Sequence, residues 1–213
     1  MNFGLVFFFG SFMFVLTLLL QAGLGQAPLR AGIEALPLAA AFTIMSILSP
    51  RVAARLGSRT VTVGAAIAAI GTAMLALTGL HFGARLTGWD LAPATALIGL
   101  GQGMALPSLI GVVLQHVRPE RAGAAAGILT TTQQFGAASG IAIVGAIFYG
   151  AIGSVPSRGS FVSGMVLAMT VLAVLLAAAT AVTLLLSRRP APADVVAPAS
   201  RASELAAHAD LAG

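Results

Sequence analysis

The apolar positions of this 213-residue chain form long continuous runs, which short connectors with Gly, Pro, Arg or Asp separate. A helix that crosses a bilayer needs about 20 mainly apolar residues. The runs show no alternation of the barrel-strand kind, and they are too long for such strands. The sequence therefore predicts an all-α membrane protein with six transmembrane helices. The predicted spans are 3–20, 31–49, 61–80, 91–114, 123–150 and 161–186.

The two ends of the chain call for separate interpretation. The first apolar run lacks a positively charged leader and exceeds the usual length of a signal-peptide core, so a transmembrane helix is favoured over a signal peptide. Residues 190–213 are rich in Ala, Pro and charge, which predicts a mostly disordered cytoplasmic tail. Residues 203–211 form a candidate short helix within it.

Composition narrows the class of protein. Hydrophobic residues make up 58% of the chain and charged residues 8%, whereas a soluble domain has about 25% charged residues. The net charge is +5, and all of the positive side-chain charge at pH 7 comes from arginine. The arginines form no basic face with aromatic residues, so we expect no nucleic-acid partner. The chain has no cysteine. Its three histidines lie far apart, and known catalytic or phosphate-binding motifs are absent, so we expect no enzyme, cofactor or metal site.

Arginine placement predicts the orientation, because cytoplasmic connectors carry an excess of positive charge. With the N-terminus inside, seven arginines near span ends are cytoplasmic and three are external. Both termini are then cytoplasmic, in a multi-pass protein of the cell (inner) membrane. Trp89 and Tyr149 fall at external span ends, where amphipathic rings are favoured. The seven arginines predicted to be cytoplasmic are Arg51, Arg55, Arg59, Arg118, Arg121, Arg188 and Arg189. The three predicted to be external are Arg30, Arg85 and Arg158.

Glu34 is the only acid within a predicted span, about one turn from its external end. One interpretation is a carboxylate that binds and releases a transported proton. The other, which we favour from sequence, is an interfacial ion pair with Arg30, four residues earlier on the same helix face.

Four glutamines and a set of small residues are further candidates. Gln21, Gln102, Gln133 and Gln134 lie in or at the ends of spans, where an amide can orient a substrate or tie two helices together by about 1 kcal/mol. Gln102, Gln133 and Gln134 are the best candidate for a substrate site on neighbouring helices. Pro107 interrupts the fourth span and is expected to kink it. The glycines expected at close helix contacts are Gly99, Gly103, Gly136 and Gly140.

The connector "PRVAARLGSR", residues 50–59, resembles the loop signature Gly-x-Leu-Ala-Asp-Arg-x-Gly-Arg-Arg of the major facilitator superfamily. Arg55, Gly57 and Arg59 match the signature. Ala54 stands where the family has Asp, which puts in doubt the charge-relay role of this loop. Second-half copies of the motif are commonly degenerate, so the resemblance favours the C-terminal half of such a protein.

Two longer stretches extend the resemblance to about residues 1–189. Both are similar to the second half of fourteen-span drug:proton antiporters. The first is "LQAGLGQAPLRAGIEALPLA", residues 20–39. The second is residues 99–148, in which "PERAGAAAG" is followed by "QQFGAASG". The resemblance implies one six-helix half built from two three-helix inverted repeats, about 1–80 and 90–189. The sequences of these two repeats show no convincing similarity to each other.

The resemblance implies proton-coupled export of amphipathic small molecules or drugs across the lipid bilayer. Alternating access requires two bundles that rock around a central site, and this chain supplies one. The implied partners are therefore a missing N-terminal half of six to eight helices, or a second copy of the chain, together with a small-molecule substrate and protons. The chain alone is expected to be inert. The alternative is a membrane interaction or assembly protein without transport activity.

Overall fold

The computed structural model describes residues 2–115 and 122–187, which fold into helices and short turns without a strand. Six of the helices in these ranges are long and apolar enough to cross a membrane, so the predicted six-helix membrane fold is confirmed. The helices are α1 (Asn2–Leu18), α2 (Pro28–Glu34), α3 (Leu36–Leu56), α4 (Thr60–Phe82), α5 (Ala92–Gln115), α6 (Ala122–Ile152) and α7 (Arg158–Ser187).

The chain divides into two compact units, Met1–Ala181 and Val182–Gly213. The geometry below belongs to the first unit. Of the second, the structure describes only the end of α7. The predicted tail, 190–213, lies outside the described residues, as do Arg118, Arg121, Arg188 and Arg189.

The second apolar segment is divided into two helices. The short α2 ends at Glu34, and α3 begins at Leu36 after a single turn residue, Ala35, with φ −86° and ψ −7°. Pro37 lies in the first turn of α3, a position that tolerates a proline because its missing N–H would have no helical partner there. Glu34 therefore lies at a helix end rather than one turn inside a continuous span.

Two of the main helix pairs in the bundle correspond to each other. α1 packs on α6, and α3 and α4 both pack on α5. Exchanging the first three long helices (α1, α3, α4) for the last three (α5, α6, α7) converts the α1–α6 pair into the α5–α3 pair. This correspondence of two helix pairs agrees with the predicted arrangement of two three-helix repeats.

Glycines bring α5 close to α3. A β-carbon at Gly99 would meet the carbonyl oxygen of Leu38, and one at Gly103 would meet the carbonyl oxygen of Phe42. Gly99 and Gly103 are four residues apart, as are the two residues they face, so the contact continues over one full helical turn. Only residues without a side chain allow backbones this close.

The α1–α6 pair uses the same arrangement. Gly136 lies against Phe3, and Gly140 lies against the carbonyl oxygen of Phe7 and the hydroxyl of Ser11. Both pairs of glycines are on the last three long helices, and both face residues spaced by four on the first three. Small residues at these positions therefore set the separation of both central helix pairs.

Helices α3 and α4 end in the same way. Gly57 and Gly83 follow them with φ +56° and +51°, a conformation that favours glycine. Each glycine begins a 3₁₀ turn whose third residue is an arginine, Arg59 or Arg85. The glycine of the loop motif thus has a local structural reason: it ends α3 and starts the connector to α4.

Candidate functional site

A cavity of about 640 Å³ lies among α1, α3, α5 and α6. Its volume falls within the range of about 300–1,000 Å³ that is usual for small-molecule sites. Apart from Gln133, its lining side chains are apolar. The lining residues are Val6, Phe9, Phe42, Leu106, Pro107, Ile110, Gly111 and Gln133.

Aromatic rings and a proline shape the cavity wall. Phe9 of α1 and Phe42 of α3 are stacked, with ring centroids 6.3 Å apart. Pro107 of α5 cannot donate a hydrogen bond to the carbonyl of Gly103, which leaves a backbone acceptor without its usual helical partner near the cavity. An apolar wall with a few polar groups fits the recognition of an amphipathic solute.

Gln102 lies one turn before Leu106 on the same face of α5 and is fully buried. Neither its Oε1 nor its Nε2 has a hydrogen-bond partner among the described residues. An unpaired buried amide costs about 1–3 kcal/mol, so this side chain weakens the fold it belongs to. The cost is explained if another molecule or another part of the assembly satisfies the amide.

The structure does not gather all four predicted glutamines at one site. Gln133 lines the cavity, and Gln102 lies next to a lining residue without being one itself. Gln134 and Gln21 are exposed, the latter in the π-helical turn Leu19–Gly23 that ends α1. Only Gln133 among the four is thus in direct contact with the cavity.

Glu34 lies apart from the cavity, at the opposite end of the bundle from the start of α1. It is 3% exposed, and its Oε1 accepts a hydrogen bond from Nε of Arg30 at 3.3 Å. The Arg30 side chain is 69% exposed, so solvent screens its charge. The other carboxylate oxygen of Glu34, Oε2, is buried without a partner among the described residues.

The turn before α5, residues 86–91, makes contacts that our sequence analysis missed. Gly88 lies directly against the carboxylate of Glu34. Thr87 and Asp90 form a reciprocal capping box that shapes the turn, and Thr-x-x-Asp is a sequence signal for such a cap. The guanidinium of Arg158 donates a hydrogen bond to the carbonyl oxygen of the buried Leu86 at 2.7 Å. No local signal in the sequence predicts this contact, since it joins residues 72 positions apart.

A polar contact between α3 and α5 was also missed. Ser49 is buried, and its hydroxyl oxygen lies 2.8 Å from that of Ser108. The Ser49 hydroxyl also lies 3.3 Å from the carbonyl oxygen of Met104. This contact ties the two helices one to two turns beyond the Gly103–Phe42 contact.

The three arginines of the loop motif are exposed at the end of α3 and in the turn that follows it. Arg51, Arg55 and Arg59 form no ion pair with any described residue. The described residues contain no cluster of three His, Asp or Glu side chains that could hold a metal ion.

These features define a multi-pass helical membrane protein with an apolar cavity among its central helices. The model of the Major Facilitator Superfamily matches residues 1–141. The chain belongs to this superfamily.

Several curated proteins are similar to the chain. A probable actinorhodin transporter of Streptomyces coelicolor is 35% identical over 70% of this chain and 26% of its own length. A puromycin resistance protein of Streptomyces alboniger is 36% identical over 67% of this chain and 28% of its own length. A cephamycin export protein of Amycolatopsis lactamdurans is 35% identical over 62% of this chain and 27% of its own length. The matched region is thus little more than a quarter of each of these relatives.

Proposed function

We propose that this chain forms the C-terminal six-helix part of an exporter that moves amphipathic small molecules out of the cell. The observation that carries the proposal is the apolar cavity with Gln133 on its wall. Its lining offers a large hydrophobic surface and few directional contacts, which suits ligands that share amphipathic character rather than one shape. The names of the relatives, which refer to actinorhodin transport, puromycin resistance and cephamycin export, support the same class of substrate.

The proposed partner is a second bundle of helices: an N-terminal half of six to eight helices, or a second copy of the chain. Transporters of this kind bind substrate at the interface between two repeats. In the most apolar 18-residue stretch of α3, only 11% of the residues are buried. Ile44 and Ile47 of this helix are exposed. α3 also contributes Phe42 to the cavity, so a bundle packed on α3 would lie next to the cavity.

We further propose that export is coupled to protons and that Glu34 is the coupling carboxylate. Glu34 is almost completely buried, it has one oxygen without a partner among the described residues, and its cationic partner is exposed. A buried carboxylate in a membrane protein is costly, and protonation would remove its charge. The competing role, a static ion pair with Arg30, predicts no effect on coupling when the charge is removed.

Dye transport in inverted membrane vesicles tests the proposal. We would express the chain alone and the complete gene product that contains it in a bacterial host without its own exporters. Ethidium uptake driven by respiration and abolished by a protonophore is expected for the complete product, with no uptake by the chain alone if it lacks a partner. Absence of uptake by both would contradict transport and favour an assembly role.

Two substitutions separate the roles within the site. Gln133→Ala is expected to raise the ethidium concentration for half-maximal uptake about tenfold, which corresponds to the loss of one hydrogen bond. Glu34→Gln is expected to abolish proton-driven uptake while dye binding persists. Thr130→Val is the control on α6, because Thr130 is exposed and its hydroxyl bonds only within its own helix. Unchanged uptake in both test variants would refute the assigned roles.

A further inference from the structure

A second cavity, of about 370 Å³, lies on the other side of α1, among α1, α4 and α7. Phe8 and Leu172 form its buried floor, whereas Phe3 and Leu175 on its wall are exposed. The cavity is therefore a groove that the surroundings of the bundle can reach. The cavity described above does not share its α4 and α7 walls.

The wall of this groove offers nothing for a polar solute to bind. The one polar side chain in the lining is Thr180, whose hydroxyl already donates to the carbonyl oxygen of Leu176 in its own helix. The α7 wall extends from Leu172 to Thr180, about 12 Å at 1.5 Å per residue. One leaflet of a bilayer has a hydrocarbon depth of about 15 Å. The groove thus has the polarity and the length of a lipid acyl chain.

Unpaired positive charge lies at the same end of the bundle. The groove is bordered by the start of α1, the start of α4 and the part of α7 from Leu172 to Thr180, and the connector from α3 to α4 is at that end. Arg59 immediately precedes α4, and Ala65 of the groove follows six residues later, about 9 Å along the axis. Arg51 and Arg55 are one helical turn apart on α3, so their like charges repel.

No described carboxylate neutralises these arginines. The two acids among the described residues are Glu34, which pairs with Arg30, and Asp90, which caps its own turn. Both are at the opposite end of the bundle. A phosphate group at the membrane surface would supply the missing negative charge, and basic clusters next to transmembrane helices attract anionic lipids.

We propose that an anionic phospholipid binds here, with its phosphate at Arg55 and Arg59 and one acyl chain in the groove among α1, α4 and α7. The degenerate loop motif, which lacks the family's acid at Ala54, then serves as a lipid headgroup site. This proposal depends on the membrane fold and not on transport, so failure of dye uptake would leave it standing.

Lipid retention tests the proposal. The protein is placed in nanodiscs with equal amounts of phosphatidylglycerol and phosphatidylcholine of identical acyl chains, and the lipids that stay bound after release are counted by native mass spectrometry. Wild type is expected to retain phosphatidylglycerol preferentially. Arg55→Gln together with Arg59→Gln should reduce that preference by about fivefold for each arginine. Arg85→Gln, an exposed arginine in the equivalent turn after α4, is the control.

The acyl-chain part has its own variant. Ala179→Leu places extra carbon atoms at the exposed rim of the groove and should lower retention of both lipids, whereas Ala178→Leu, an exposed neighbour outside the lining, should not. Glycerol phosphate without acyl chains should not displace the bound lipid. Equal retention of both lipids by wild type, or a preference that survives loss of both arginines, would overturn the proposal. So would unchanged retention by Ala179→Leu, with circular dichroism confirming that each variant is folded.

Discussion

The carboxylate of Glu34 lies against Gly88 so closely that a β-carbon at position 88 would overlap it. Glu34 ends α2, and Gly88 lies in the turn that leads into α5. The acid that we propose for proton coupling thus contacts the segment that begins the central helix α5. A change in the charge or position of Glu34 would therefore act directly on the conformation of that turn.

We therefore predict that Gly88→Ala displaces the Glu34 side chain and lowers the free energy of unfolding by about 1–3 kcal/mol, the usual cost of overpacking. Thermal unfolding in detergent measures the loss. Gly32→Ala is the matched control, because its β-carbon would enter open space and alanine favours a helix.

A double substitution identifies the cause. Glu34→Ala in the Gly88→Ala background removes the overlapping carboxylate, so the two changes should be non-additive, with an interaction energy of about 0.5–3 kcal/mol. Strictly additive effects would show that Gly88 is needed for its backbone conformation and not for its contact with Glu34.

The close helix contacts lead to a second prediction. Gly103→Ala and Gly140→Ala should each destabilise the protein by about 1–3 kcal/mol, because a methyl group would push α5 from α3 or α6 from α1. Gly111→Ala on α5 and Gly127→Ala on α6 have open space at the β-carbon, and they should be neutral or slightly stabilising. If all four variants melt at the same temperature, these contacts do not set the helix separation.

A third prediction concerns Arg158, which holds the turn before α5 through the carbonyl of Leu86. Because the chain has no cysteine, Leu86→Cys provides a single thiol at a buried position. Arg158→Ala should increase its rate of reaction with maleimide severalfold, since the turn loses a charged hydrogen-bond donor. Arg85→Ala, which removes a nearby exposed charge that makes no hydrogen bond to another described residue of this turn, should leave the rate unchanged. Equal rates in both backgrounds would mean that the arginine does not hold the turn closed.

The absence of cysteine also allows a test of the orientation proposed from the arginines. Ala54→Cys lies in the last turn of α3, and Ala84→Cys lies in the turn after α4; both positions are exposed. A membrane-impermeant maleimide added to intact cells should label Ala84→Cys and leave Ala54→Cys unlabelled until the cells are opened. The reverse pattern would show that the proposed topology is inverted.

The arrangement of the fold could be predicted from the sequence because lipid imposes a simple rule on length and polarity. The same rule could not predict the break between Glu34 and Leu36. Hydropathy is averaged over about 20 residues, so a single turn residue does not change it noticeably. Pro37 was the available signal, because a proline belongs in the first turn of a helix.

The site was harder to predict, because long-range packing determines which polar side chains meet. Gln102, Gln133 and Gln134 are all glutamines within predicted spans, yet only Gln133 lines the cavity. Helix rotation decides this, and α6 carries little amphipathic pattern from which its rotation could be deduced, because its polar residues are not gathered on one face. The contacts of Gly88 and Arg158 depend on segments more than 50 residues away.

The buried amide of Gln102 leads to the last prediction. Its two polar atoms have no partner among the described residues, so Gln102→Leu, which has a similar volume and no polar atom, should raise the free energy of unfolding by about 1–3 kcal/mol. Thermal unfolding of the chain measures this gain. If the amide is kept for a substrate or a partner helix, the same variant should lose ethidium uptake when the chain is assembled with its proposed second bundle. Higher stability with full uptake would mean that transport does not use the amide. Lower stability would mean that the amide has a partner in the folded protein. That result would refute the functional interpretation of its burial.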